Sequence, residues 1–268
     1  MVNVIVAGVS GRMGSTIARL VQEDQDLSLA GGFERADHPN VGKDVGEVIG
    51  VGPLGIKVAK GLEEVISQAD VIIDFTFHTA SVSHLKIAQK YAKPIVIGTT
   101  GFTDEEMAEI EAMASQVKCV LSPNMSVGVN LLFKLVPEVA KILGEDYDIE
   151  ILEMHHRFKK DAPSGTAMRL AQLVAQATER DLGKVCVYGR QGVIGERKKE
   201  EIAVLALRGG DVVGDHTVYF AGLGERIEIT HRASSRETFA RGALRAAKWI
   251  VKQEKHGIYD MLDVLGIK

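Results

Sequence analysis

Over the first 121 residues, short apolar runs rich in β-branched side chains alternate with stretches in which apolar positions recur at helical spacing. The pattern predicts strands at 2–6, 27–33, 71–75, 94–97 and 119–121. Their nearly unbroken apolar character suits strands buried on both faces. Helices are expected at 13–23, 62–68, 80–91 and 104–115. Thr103, followed three positions later by Glu106, marks the start of the last helix as a capping box. The Gly- and Pro-rich segment 37–61 reads as mostly loop. Strands and helices that alternate in this way predict right-handed βαβ units around a parallel sheet.

Beyond residue 125 the pattern changes. A helix is expected at 129–143, with Pro137 as a kink or break. A strand at 147–154 leads into a charged, small-residue segment at 155–165. The next helix starts near Thr166, with Ala167, Leu170, Ala171 and Val174 on one face. Strands at 202–207, 217–220 and 227–230 then follow one another without helices, which predicts a second, sheet-based domain. A terminal helix at 236–253 is expected to pack back on the first domain. The run 196–201 is mixed in charge and reads as a solvated loop.

Composition narrows the function classes. The 268 residues carry 32 basic and 36 acidic side chains, a net charge of −4, with 46% hydrophobic residues. That balance excludes a disordered or collagen-like chain and argues against a nucleic-acid-binding protein, which concentrates Lys and Arg. Cys119 and Cys186 are too few for a disulfide scaffold, and no Cys/His ladder suggests zinc. No apolar run approaches the roughly 20 residues of a membrane span, and no secretory leader pattern opens the chain. A soluble, cytoplasmic protein is expected.

The first chemical motif is Gly8-Val9-Ser10-Gly11-Arg12-Met13-Gly14, between the first strand and the first helix. A strand-to-helix turn there aims backbone N–H groups and the positive helix end at a pyrophosphate. Gly8 is expected to make the tight turn, Gly11 to let phosphates approach, and Gly14 to let helix and strand pack closely. The spacing is a variant of the commoner fingerprint, with Ser10 at its second glycine. Glu34 lies 20 positions after Gly14, where such folds carry an acid for the adenosine ribose. The adjacent Arg35 suits a 2′-phosphate, so both NADH and NADPH are expected. Gly98-Thr99-Thr100-Gly101 and Ser122-Pro123-Asn124-Met125 follow later strands, on the rim where open α/β sheets bind ligands.

The densest chemistry runs from Glu153 to Thr166, with His155, His156, Arg157, Lys159, Lys160 and Asp161 ahead of Ser164-Gly165-Thr166. Gly165 and Thr166 open a helix and suit a carboxylate. Lys159 near other cations is a usable proton donor, and His titrates near neutrality. A metal site and a plain solvated loop compete with this reading. Adjacent residues on a strand point to opposite faces, which opposes a metal held by both His155 and His156. Both can line one pocket only if the chain leaves the strand there.

These motifs together resemble the dihydrodipicolinate reductase family, also called 4-hydroxy-tetrahydrodipicolinate reductases. The resemblance rests on Val6 to Gly14, Phe33-Glu34-Arg35, Asp74-Phe75-Thr76, Ile97 to Phe102, Asn124 to Asn130 and, above all, Asp161-Ala162-Pro163-Ser164-Gly165-Thr166-Ala167. It implies an α/β fold with an N-terminal Rossmann-like nucleotide-binding domain (1–126 and 237–268) plus an α+β substrate-binding and oligomerisation domain with a mixed sheet (127–236). It implies NADH or NADPH bound by Gly8, Val9, Ser10, Gly11, Arg12, Met13, Glu34, Arg35, Gly98, Thr99, Thr100, Ser122, Pro123, Asn124 and Met125. It further implies His155 as acid/base, Lys159 as proton donor, and His156, Gly165 and Thr166 as contacts to a small cyclic dicarboxylate. Some relatives carry a basic residue at the position of Phe77. No metal is implied, and a homotetramer joined through the mixed sheets is. Two other readings remain at this stage: a different NAD(P)-dependent oxidoreductase of aspartate-derived metabolism, and a non-catalytic NAD(P)H sensor.

Overall fold

The chain, seen in a computed structural model that describes residues 1–267, opens with β1 (Val2–Ala7), α1 (Arg12–Glu23), β2 (Leu27–Phe33), α2 (Val45–Ile49) and β3 (Val58–Ala59). It continues with β4 (Val71–Asp74), α3 (His78–Lys90), β5 (Ile95–Ile97), α4 (Asp104–Ala112), β6 (Lys118–Leu121) and α5 (Val127–Leu143). Then come β7 (Asp148–His155), α6 (Gly165–Ala177), α7 (Leu182–Val185), β8 (Cys186–Val187), β9 (Ile202–Arg208), β10 (Gly214–Ala221) and β11 (Arg226–Ala233). The chain closes with α8 (Glu237–Ile250), β12 (Gly257–Tyr259) and α9 (Met261–Leu265). Two compact units result, Met1–Val127 with Glu237–Ile267 and Gly128–Arg236. Lys268, the last residue of the expected first domain, lies outside the described residues.

The first unit is a seven-stranded sheet in the order β12-β6-β5-β4-β1-β2-β3, with every pair parallel. Its strands are buried on both faces, so alternate residues feed two cores. Val4 and Val6 join Ile17 and Val21 of α1 and Ala243 and Ala247 of α8, while Ile5 and Ile72 join Leu85 of α3 and Ile110 of α4. The terminal helix thus packs where the sequence suggested. Gly242 fits it there, because a Cβ on that residue would stand 1.7 Å from the Met125 carbonyl oxygen. Strand order reverses between β1 and β4, which creates the crevice where such sheets bind ligands.

Three expectations for this unit need correction. Segment 62–68 is two successive 3-10 turns, because Val65 leaves helical geometry at φ −121°. Segment 37–61 is more than loop. The Asp44 carboxylate accepts hydrogen bonds from the Gly46, Glu47, Leu54 and Gly55 amides, caps α2 and folds the segment toward edge strand β3. Finally, β12 and α9 were not foreseen, since three- and five-residue elements are too short to show a period. The capping box at Thr103 and Glu106 forms as expected.

The second unit is a five-stranded mixed sheet in the order β11-β10-β7-β9-β8. β10 runs antiparallel to β11 and β7, whereas β9 is parallel to β7 and β8. Its core joins Ile149, Ile151, Val204, Val218 and Phe220 of the sheet to Leu132 and Val136 of α5 and Leu170 and Val174 of α6. The expected break at Pro137 does not occur, and α5 spans it within one helix. Burial of Leu132, Val136 and Ala140 on either side holds the helix against the roughly 3 kcal/mol that an internal proline costs.

Candidate active site

In the first unit, Gly8 adopts φ +60°, a left-handed conformation suited to glycine, and its N–H donates to the Phe33 carbonyl at 2.9 Å. A Cβ on Gly14 would stand 2.0 Å from the Gly8 carbonyl oxygen, so this glycine lets α1 lie against the turn. The helix starts without a side-chain cap and without an acid in its first turn. The first-turn amides of Arg12, Met13 and Gly14 therefore present the positive end of α1. Glu34 comes back to the same turn, where its carboxylate accepts the Ser10 N–H at 2.8 Å. Ser10 Oγ is buried and has no hydrogen-bond partner. Arg35 is exposed and pairs with equally exposed Asp37 at 3.0 Å.

The other rim segments converge on the carboxyl ends of the parallel strands. Gly98 follows β5 and lies so close to Phe75 that a Cβ would be 2.2 Å from its ring. Thr99 is buried and accepts a hydrogen bond from Ser81 Oγ at 2.8 Å, while Thr100 is exposed. After β6, the Ser122 hydroxyl donates to the Asn124 carbonyl at 2.9 Å, Pro123 is exposed, and Met125 is buried in the core. Sequence reasoning gave Asp74 no role. Its fully buried carboxylate takes the Thr76 amide at 2.8 Å, the Thr76 hydroxyl at 2.6 Å and His84 Nδ1 at 2.7 Å. That network fixes the loop after β4 beside the crevice. The uncapped helix start, the Glu34 carboxylate and the orphaned Ser10 hydroxyl fit a dinucleotide.

In the second unit, the core-facing row of β7 changes from apolar to polar along the strand: Ile149, Ile151, Glu153, His155. Glu153 is fully buried. His155 Nδ1 lies 2.5 Å from its Oε2, Arg208 of β9 grips both oxygens at 2.8 and 2.9 Å, and the Ser164 amide donates to Oε1 at 3.0 Å. Burial works against the Glu153 charge, but these donors outweigh it and hold the carboxyl below its ordinary pKa. Burial also pushes the His155 pKa below its ordinary value; Glu153 partly offsets this, and Lys159 and Arg208 reinforce it.

Strand β7 ends at His155, so the chain leaves the sheet before His156 and the constraint set by alternation is met. The Lys159 amide donates to the His156 carbonyl at 3.1 Å and closes a turn. Lys159 is half-buried and pairs with Asp161 at 2.9 Å, whereas its neighbour Lys160 is exposed. His156 Nδ1 is buried and unpartnered. Ser164 caps α6 through the Ala167 amide, one position earlier than the expected start, and Gly165 opens the helix with nothing within 4 Å of where a Cβ would stand. Thr166 follows in the first turn. Buried His216 meets the Ser164 hydroxyl at 3.1 Å and the His155 ring edge-on at 5.2 Å, and burial drives its pKa down to about 3.

Arg208, His216 and the role of Glu153 were missed from sequence. Only Glu153 carried a signal, since two residues apart on a strand share a face. Among the described residues, no cluster of His, Cys, Asp or Glu is arranged to hold a metal ion, and no helix is long and apolar enough to cross a membrane.

Comparison with known proteins follows the same division. The N-terminal model of dihydrodipicolinate reductase matches residues 2–125, and the C-terminal model matches 128–265. The 4-hydroxy-tetrahydrodipicolinate reductase of Syntrophus aciditrophicus is 55% identical, and that of Syntrophobacter fumaroxidans 54%, each over 100% of both chains. The dipicolinate-bound dihydrodipicolinate reductase from Paenisporosarcina sp. TG-14 superposes with a TM-score of 0.74 at 25% identity, covering 98% of each chain. A parallel nucleotide-type sheet, a mixed second sheet and full-length similarity across both agree, and the chain belongs to the dihydrodipicolinate reductase family.

Proposed function

We propose that this chain is a 4-hydroxy-tetrahydrodipicolinate reductase, which uses NADH or NADPH to form tetrahydrodipicolinate for diaminopimelate and lysine biosynthesis. The observation that carries this reading is a half-buried Lys159 and a His155 oriented by Glu153 in the same segment as the start of α6, in a chain of this family. A passive sensor has no use for that grouping. The relatives' names give the reaction, and the dipicolinate bound to the Paenisporosarcina protein is a planar relative of the expected cyclic dicarboxylate.

Arg12 and Met13, with the turn from Gly8 to Gly11, hold the pyrophosphate through backbone amides. The second oxygen of Glu34 takes a ribose hydroxyl, and Arg35 takes a 2′-phosphate when one is present. Gly98, Thr99 and Thr100, together with Ser122, Pro123, Asn124 and Met125, form the rim at the nicotinamide end. When bound, the reduced nicotinamide supplies a hydride to a conjugated carbon of the substrate ring. Gly165 and Thr166 hold a ring carboxylate, and His156 contacts the substrate beside them. Lys159 delivers the proton that the neighbouring carbon needs as electrons move to the ring nitrogen. Overall one hydride and one proton are added and one water leaves.

The open face of the mixed sheet supports a homotetramer. There Leu152 pairs with Leu205 and Met154 with half-exposed Leu207, opposite the apolar core. Light scattering of the full chain should give four copies; a monomer rejects this part. Two unbridged cysteines, Cys119 and Cys186, fit a cytoplasmic protein. The deciding experiment is loss of NADH or NADPH absorbance with freshly condensed substrate. Turnover is expected with both cofactors; a chain that binds cofactor and turns over neither rejects the reading.

A further inference from the structure

The nucleotide-binding and proton-donating groups leave one buried assembly unexplained, the salt-bridged carboxylate beneath His155. Glu153 has no exposed surface, yet it receives four hydrogen bonds: two from Arg208, one from the Ser164 amide and one from His155 Nδ1. A carboxylate held in this way has only acceptor sites, so the proton between it and His155 resides on Nδ1. Burial, with Lys159 and Arg208, holds the His155 pKa below its ordinary value against the pull of Glu153, so above neutral pH the ring carries this one proton and Nε2 has none.

The surroundings show where Nε2 points. A Cβ built on Gly214 of β10 would stand 2.9 Å from His155 Nε2 and 3.3 Å from its Cδ2, so the ring edge that carries Nε2 lies against this glycine. Gly214 has no side chain, and only a glycine leaves the ring this position. The Ser164 amide that Glu153 also binds lies at the start of α6, so one carboxylate anchors both the imidazole and the first turn of that helix.

We propose that Glu153, clamped by Arg208, is a positioning residue that commits His155 to the Nδ1–H tautomer and presents Nε2 over Gly214 as an acceptor. The proposal rests on the reductase reading above and assigns the resting-state proton donor to Lys159 alone. The charged and titratable groups facing His155 are Glu153 on its own strand, Arg208 on β9, His216 on β10, and Lys159 with Asp161 in the turn that follows. Of these, Glu153 raises the His155 pKa, and burial, Lys159 and Arg208 lower it. Removing the Glu153 charge therefore shifts His155 protonation to lower pH.

The first measurement needs no Glu153 variant. Nitrogen-15 spectra of the full wild-type chain, labelled at histidine and assigned by difference from His155→Asn, should show a protonated Nδ1 and a bare Nε2 at pH 7.5. A proton on Nε2 overturns the proposal. This readout is independent of turnover, so a failed reductase assay would reject the function and leave the tautomer decided. In the second measurement, Glu153→Gln should lower kcat about 100-fold. The KM for NADH should change less than about twofold. The acid limb of the pH profile should move to lower pH. In a His155→Ala background the same substitution should cost less than about threefold, because the two act as one unit. An equal loss in both backgrounds shows a merely structural role and overturns the proposal. If Glu153→Gln does not fold, Gly214→Ala takes its place: a methyl against Nε2 should lower kcat nearly as far as His155→Ala, and full activity overturns the proposal.

Discussion

The two halves of the candidate machinery are built from different materials. The nucleotide turn is made of backbone: a left-handed Gly8, a Gly14 with no room for a side chain, and helix amides without a cap. The segment after β7 is made of charged side chains held under cover, with Glu153 joined to Arg208, His155 and Ser164. A backbone site is specified by local conformation and tolerates sequence change wherever the amides remain. A side-chain site depends on partners distant in the chain, and breaking one contact leaves a buried charge uncompensated.

The sharpest way to break this contrast is Lys159→Ala. If the second unit carries the proton chemistry and the first only holds the cofactor, kcat should fall about 10³-fold. NADH affinity, measured by fluorescence titration, should stay within about twofold. A parallel loss of NADH binding would dissolve the division of labour.

Gly14→Ala tests the backbone half. Its methyl would meet the Gly8 carbonyl at 2.0 Å, so α1 must move. Stability in urea should drop by about 3 kcal/mol, with NADH binding weakened alongside. An unchanged melt and an unchanged affinity would show that the turn is not held by close packing.

Acid separates the halves again. A His216 pKa of about 3 in the fold against 6.5 in the unfolded chain means that the unfolded state takes up a proton that the buried ring refuses. That contribution to stability is complete above pH 6.5 and is lost as the pH falls from there toward 3. By pH 5 about 2 kcal/mol of it is lost, at 1.4 kcal/mol per pH unit below 6.5. His155 and Glu153 are also shifted downward and act in the same direction. His216→Gln should flatten the dependence of thermal unfolding on pH between 7 and 5, and an unaltered slope would contradict the shift.

The smallest effect sharpens cofactor choice. Arg35 is exposed and its pair with Asp37 is solvent-screened, so Arg35→Ala should weaken NADPH by about 1 kcal/mol and leave NADH unchanged. Equal effects on both cofactors in a binding titration would remove Arg35 from the 2′-phosphate.

How much of this was legible in the sequence followed the same contrast. The glycine spacing and the Thr103 capping box are local signals and formed their expected local structure, while Glu34, the acid 20 positions on, returns to the same turn through the Ser10 amide. Segment 62–68 looked helical by its apolar spacing, yet Val65 divides it into two turns. Pro137 looked like a kink or break, and of these the break is absent, because α5 packs across it. Lys159 and Lys160 are indistinguishable as neighbours in sequence, and only the turn that closes on His156 buries one and exposes the other.

The sequence alone determined the order of the longer elements, the glycine turn between β1 and α1 and the cluster of chemistry between Glu153 and Thr166, because these depend on hydrophobic period, glycine conformation and helix capping within a few residues. Tertiary structure decided which groups are paired and therefore which are charged. Arg208 lies opposite His155 only through the β7–β9 register, and His216 lies opposite Glu153 only through the β7–β10 register. Protonation is set by burial and by charged neighbours, and strand pairing brings those neighbours together from 50 or more residues away.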